Sequence, residues 1–259
     1  MVSSRVLPGA EGFTFEGSGT IGFLLQHGFS GTPASMRPFG EWLAERGCMV
    51  AAPRLSGHGT KWEDLEGVTW QDWERDASGA LDELGAKSQA VVAVGLSMGG
   101  ALVLHLAAKH PEKLRGVVVI NALVRRPELA LAPVIRLFTR TVKGVGNDIK
   151  KPGQDEIVYD RIPVKGVNQL GKVLRVTERE LSSMTLPLLV FSSPEDHTVK
   201  PMNSRLVMKK AGSSKKELVT LGNSYHVATL DYDAETIFER TLEFARALTA
   251  APEASAPPA

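Results

Sequence analysis

The residues best equipped for chemistry lie in Gly95-Leu96-Ser97-Met98-Gly99, where a serine sits between two glycines. The β-branched run Val91 to Val94 leads into it, and a helix-forming run, Ala101 to Lys109, follows at once. Gly-x-Ser-x-Gly between a strand and a helix is a nucleophile elbow, a turn that exposes the hydroxyl above a sheet. A side chain at either glycine would collide with the strand or the helix. The helix beginning there directs its free N–H groups and positive dipole end toward negative charge forming near Ser97. The chemistry implied is acyl transfer through a serine.

A serine hydroxyl is a weak nucleophile at neutral pH and needs a base, which in turn needs a group to orient it. Behind an elbow of this kind the acid follows the serine and the histidine comes last. Of the six histidines, only His197 and His226 follow Ser97 after later strands. His226 lies in the polar run Gly222-Asn223-Ser224-Tyr225-His226, between a strand and the final helix. A base delivered over the carboxyl edge of a sheet belongs in such a loop. His197 directly follows the best acid candidate and leaves no room for an intervening strand. The base is therefore assigned to His226. Leu188 to Phe191 runs into Ser192-Ser193-Pro194-Glu195-Asp196, which puts Asp196 at the strand's carboxyl end as the acid, with Glu195 the neighbouring alternative. Asp231 and Asp233 come after His226, in the wrong order, and read as loop and cap polarity before the last helix.

An oxyanion needs two backbone N–H donors. Met98, the residue after the nucleophile, supplies one, and Phe29 in Gln26-His27-Gly28-Phe29-Ser30-Gly31 is expected to supply the other. His27 reads as a structural hydrogen-bonder and His58 as part of a turn below the site. His105 and His110 read as packing and helix-end residues, and Trp62, Trp70 and Trp73 as core and edge packing. No His-Glu-x-x-His or clustered ligand set points to a metal, and no lysine-bearing glycine loop points to a phosphate. No cofactor is expected.

The elements that must position these groups alternate between strand and helix. Strands are predicted over 21–26, 48–52, 90–94, 117–121, 188–191 and 217–221, and helices over 35–46, 70–84, 101–109, 202–211 and 234–248. Such alternation predicts an α/β architecture, a mostly parallel central sheet flanked by helices. The chain of 259 residues, 43% apolar and 23% charged, suits one large soluble domain. Its net charge of +1 and lack of a basic block argue against a nucleic-acid partner. The single cysteine, Cys48, rules out an intrachain disulfide and reads as a small buried residue. No apolar leader-like run or 18-residue apolar stretch is visible, so the expected location is cytoplasmic.

One gap, from Asn121 to Leu188, exceeds what a crossover of about a dozen residues plus loops requires. Leu129, Leu131, Val134, Ile135, Leu137 and Phe138 predict an apolar helical face, and Val164, Val167, Leu170 and Leu174 a second helix. The insertion reads as a cap with an apolar inner face, or as a structural excursion on the side of the domain. The resulting division is a core of 1–121 and 187–250, an insertion of 122–186 that includes a core crossover helix, and a disordered Pro/Ala tail of 251–259.

Four stretches together resemble the bacterial monoacylglycerol lipases and related small carboxylesterases of the α/β-hydrolase family. They are Gln26 to Pro33, Pro53 to Thr60, Gly95 to Gly100 and Asn223 to Asp233, and Ser193 to Val199 is similar to that family's acid loop. The resemblance spans residues 20 to 247. It implies an α/β-hydrolase fold with a small helical cap, Ser97, Asp196 and His226 as a triad, and Phe29 and Met98 as oxyanion donors. It further implies a narrow acyl channel with a gate to the glycerol side, where Val145 and Glu156 line the pocket. The expected activity is hydrolysis of small lipid esters through an acyl-enzyme. A general carboxylesterase for short acyl chains, an acyltransferase or peptidase, and a non-catalytic ligand-binding relative are the alternatives. A serine at the elbow disfavours epoxide and haloalkane hydrolysis. The expected partner is a small acyl ester, with transient lipid-surface contact through the cap. Monomer and homodimer are both open.

Overall fold

Apolar runs in the sequence become the inner strands of a single sheet. The computed structural model describes residues 4–250, and the expected 251–259 tail lies outside them. The strands are β1 (Phe13–Phe15), β2 (Ile21–Gln26), β3 (Met49–Ala52), β4 (Ala90–Leu96), β5 (Gly116–Ile120), β6 (Thr141–Lys143), β7 (Arg161–Pro163), β8 (Leu188–Ser192) and β9 (Lys216–Thr220). Seven of them form one sheet in the order β1-β3-β2-β4-β5-β8-β9, parallel except for the antiparallel edge strand β1. β6 and β7 form a separate antiparallel pair. Every residue of β4 is buried, as expected of a strand covered on both faces.

The two faces hold two cores. Along β4, Val91 and Ala93 pack with Trp73, Leu81, Leu102 and Leu106. These come from α2 (Trp70–Gly85) and α3 (Met98–Lys109). Val92 and Val94 point the other way, toward Phe39, Leu43, Phe238 and Leu242. Those belong to α1 (Arg37–Glu45) and α7 (Ala234–Thr249). Each such fully buried side chain contributes roughly 1.5–3 kcal/mol of transfer free energy. The register aligns Gln26 with Gly95, Leu96 with Ile120, and Ile120 with Phe191. The carboxyl ends of β2, β4, β5 and β8 therefore share one edge, where an open parallel sheet binds ligands.

Segment 122–186 departs from the sequence expectation. The anticipated apolar helix near 129–138 is a 3-10 turn (Pro127–Leu131) followed by the one-turn α4 (Ala132–Ile135). Pro127 and Pro133 lack N–H groups and suit only the start of a helix. Ala132 is buried and Leu129 packs on the core, but most of its apolar side chains face outward, with Leu137 79% and Phe138 85% exposed. The second predicted helix is α5 (Val164–Glu180), whose Leu170, Val173 and Leu174 join the core against α3. His105, expected only to pack, is buried between two carboxylates. Its Nδ1 lies 2.5 Å from Glu180 Oε2 and its Nε2 3.4 Å from Glu74 Oε1. The remaining helix, α6 (Met202–Lys210), follows β8. Among the described residues no helix is long and apolar enough to cross a membrane.

Candidate active site

Ser97 is the residue between β4 and α3, with φ 56° and ψ −120°. A left-handed φ is costly for a serine, and the packing around it holds it there. A Cβ on Gly95 would strike the backbone of Gly99 and Gly100, and one on Gly99 would strike the carbonyls of Gln26 and His27. Strand, helix and β2 thus approach too closely for any side chain. The Ser97 carbonyl accepts from Gly100 N and Leu123 N, both at 3.0 Å. Ser97 and His226 line the same small cavity, about 50 Å³, at the sheet edge.

His226 Nδ1 lies 2.8 Å from Asp196 Oδ2, and the Asp196 side chain is buried. The other carboxylate oxygen, Oδ1, accepts from Thr198 N at 2.8 Å and Val199 N at 2.6 Å. Asp196 therefore meets His226 in an orientation fixed by its own loop. Glu195, the alternative acid, pairs instead with Lys150 at 3.1 Å. His197 is exposed and pairs with Asp148 at 2.8 Å, which raises its pKa through that hydrogen bond and charge.

Among the described residues the backbone N–H groups of Phe29 and Met98 find no acceptor. Both border the elbow, and the Phe29 ring is wedged edge-on against His58 and Trp73, each at 5.8 Å. His27 accepts from Leu55 N at 3.2 Å and donates from Nδ1 to the Gly28 carbonyl at 2.9 Å. Burial pulls its pKa down to about 4, so it is a neutral strut between two loops. Burial also keeps His58 neutral.

Two features at the site were not legible in the sequence. Asn121, at the end of β5 with φ 46°, donates from Nδ2 to the carbonyls of Tyr225 (3.1 Å) and His226 (2.9 Å) and to Ser193 Oγ (3.0 Å). Its Oδ1 accepts from Ser193 N at 2.8 Å. One amide ties the acid loop to the histidine loop. The only sequence signal was an asparagine at a strand end, a residue that tolerates φ > 0. The second is the burial of Glu156, which lines the Ser97 cavity with Val145 as the resemblance implies. Burial pushes its pKa up to about 7, against the opposing influence of His226 and of the Ser35 hydroxyl. A roomier groove of about 560 Å³ adjoins the cavity and shares Leu123, Arg126 and Thr198 with it. Among the described residues no group of three or more His, Cys, Asp or Glu side chains is arranged to hold a metal ion.

Comparison with known proteins gives a consistent result. A model of the alpha/beta hydrolase family matches residues 23–240. The chain is 43% identical over 240 residues to the thermostable monoacylglycerol lipase of Bacillus sp. (strain H-257), covering 92% of this chain and 95% of that one. It is 26% identical over 235 residues to a carboxylesterase of Bacillus subtilis (strain 168), covering 90% and 94%. Among solved structures, a metagenome-derived lipolytic enzyme superposes with a TM-score of 0.90 at 42% identity, covering 94% of this chain and all (100%) of the other. The monoacylglycerol lipase of Paleococcus ferrophilus shares the fold, with a TM-score of 0.78 at 19% identity over 92% of this chain and 98% of that one.

Proposed function

The chain belongs to the alpha/beta hydrolase family, and on that premise we propose that it is a serine ester hydrolase of small lipid esters, monoacylglycerols foremost. The observation that carries this reading is the 2.8 Å contact between His226 Nδ1 and Asp196 Oδ2, with His226 and Ser97 lining one cavity. Asp196 holds the proton on Nδ1 and leaves Nε2 free to act as the base. Ser97 Oγ attacks the acyl carbonyl as His226 takes its proton, and the oxyanion is met by the N–H groups of Phe29 and Met98. Two such donors supply a few kcal/mol at each tetrahedral stage. The imidazolium then protonates the leaving alcohol. Water, activated by the same histidine, attacks the acyl-enzyme and releases the acid and Ser97.

Segment 122–186 serves as the cap. Glu156 is the one carboxyl among the cavity-lining residues and offers a partner to hydroxyl groups on the leaving alcohol. Outside, Leu131, Val134, Leu137 and Phe138 are exposed, with Arg136 next to them in sequence and Arg140 paired with Glu66 at 2.9 Å. An apolar face of this kind suits transient contact with a lipid surface. The small volume at Ser97 favours a second reading, a carboxylesterase limited to short acyl chains.

Turnover of monoacylglycerols, triacylglycerols and p-nitrophenyl esters of increasing chain length separates the two, with Ser97→Ala as control. The lipase reading requires Ser97-dependent turnover of monoacylglycerols with little on triacylglycerols. Turnover confined to short activated esters selects the carboxylesterase. Failure to react with a serine-directed phosphonate would revive a non-catalytic binding protein.

A further inference from the structure

Asp231 lies outside the proton relay, yet it is 2% exposed. Its carboxylate is filled by backbone N–H groups. Oδ2 accepts from Lys150 N at 2.7 Å and from Tyr225 N at 2.9 Å. Oδ1 accepts from Lys151 N at 3.0 Å and from Tyr232 N at 2.8 Å. Two of these donors belong to segment 122–186, and a third is the residue immediately before His226. Charged acceptors hold such donors more tightly than neutral ones.

Asp148 completes the junction from the same segment. Its carbonyl accepts from Val227 N at 3.1 Å, on the other side of His226. Its carboxylate accepts from His197 N at 3.1 Å and from Thr198 Oγ1 at 3.3 Å, in the loop of Asp196. Residues 148–151 are thus fastened to both sides of His226 and to the residues that follow Asp196.

We propose that Asp231 is a positioning residue for the proton relay, clasping residues 148–151 to the His226 loop so that the imidazole is held at Asp196. The proposal rests on the ester-hydrolase reading. It gives the insertion a task besides covering the site, because its strap fixes the backbone on both sides of the base. Ester recognition is left to other residues, so the clasp acts on turnover and not on affinity.

The test is Asp231→Asn in the full chain, a change that keeps the shape but replaces one acceptor oxygen with an NH2 donor that faces two N–H donors. Active sites are counted by titration with a p-nitrophenyl phosphonate, and kcat and KM for p-nitrophenyl butyrate are measured per titrated site. We expect kcat per site to fall at least tenfold, phosphonylation to slow by a similar factor, and KM to stay within about threefold. A purely structural role predicts fewer titratable sites with kcat per site unchanged, and that result overturns the proposal. Asp148→Asn, on the outer side of the strap, supplies the same comparison if the first variant does not fold. It should lower kcat per site by a smaller factor, and an unchanged kcat there also counts against the proposal. Wild-type protein that neither titrates with phosphonate nor turns over ester would refute the hydrolase reading itself, a result distinct from either variant's.

Discussion

Replacing Glu156 with glutamine should change stability in a way that depends on pH. The wild-type carboxyl is pushed from 4.5 to about 7, chiefly by burial, with the charge of His226 and the Ser35 hydroxyl opposing. It packs over Gly31, where an added Cβ would lie 2.6 Å from Glu156 Oε1. The folded state therefore keeps a proton that the unfolded chain releases. Below the unfolded value of 4.5, both states are protonated and ionisation has no effect on stability. As pH rises from there to about 7, the unfolded state binds fewer protons and wild-type stability falls. Above that range both states are ionised and the loss is constant. At ~1.4 kcal/mol per pH unit the full loss is about 3 kcal/mol. Glutamine keeps the size and cannot ionise. Urea unfolding from about pH 4 to about pH 8 should show Glu156→Gln gaining on wild type by up to about 3 kcal/mol, nearly all of it before the upper end. A gap between the two proteins that stays flat across this range would refute the burial argument.

Other consequences follow from the same contacts. Asp196→Asn should lower kcat by about 10²- to 10⁴-fold with the fold intact, because an amide no longer holds the imidazole proton on Nδ1; full activity would move the role to Glu195. Trp73→Ala should destabilise the protein by about 3–5 kcal/mol in denaturant, because the indole is fully buried and donates to the Ser56 carbonyl at 3.0 Å. Leu137→Ser with Phe138→Ser should weaken cosedimentation with lipid vesicles at least roughly tenfold, each buried side chain being worth about 1.5–3 kcal/mol.

Elements that carry their own pattern were legible in the sequence. The strand predicted over 21–26 is β2 to the residue, because a strand buried on both faces reads as an unbroken apolar run. The helix expected over 35–46 divides into a 3-10 turn (Pro33–Met36) and α1, with Pro38 in the first turn of α1. β1, β6 and β7 are three residues each, too short for alternation to stand out from the surrounding loops. Ser97, Asp196 and His226 could be singled out because chain order and strand ends constrain them, and the structure brings them to one edge. Asn121, Asp148 and Asp231 could not. Each of them bonds to at least one group on a loop distant in sequence, and a side chain bonding to a remote group leaves no spacing to read. The outward turn of Leu137 and Phe138 was hidden for a related reason. An apolar stripe reads the same whether it faces a core or solvent.

Ser97 is the proposed nucleophile, and intact-mass analysis after reaction with a p-nitrophenyl phosphonate reads its identity without relying on turnover. A single adduct is expected, mapped to the peptide containing Ser97, slowed in Asp196→Asn and absent in Ser97→Ala. An adduct on another residue, or one that persists in Ser97→Ala, would contradict it.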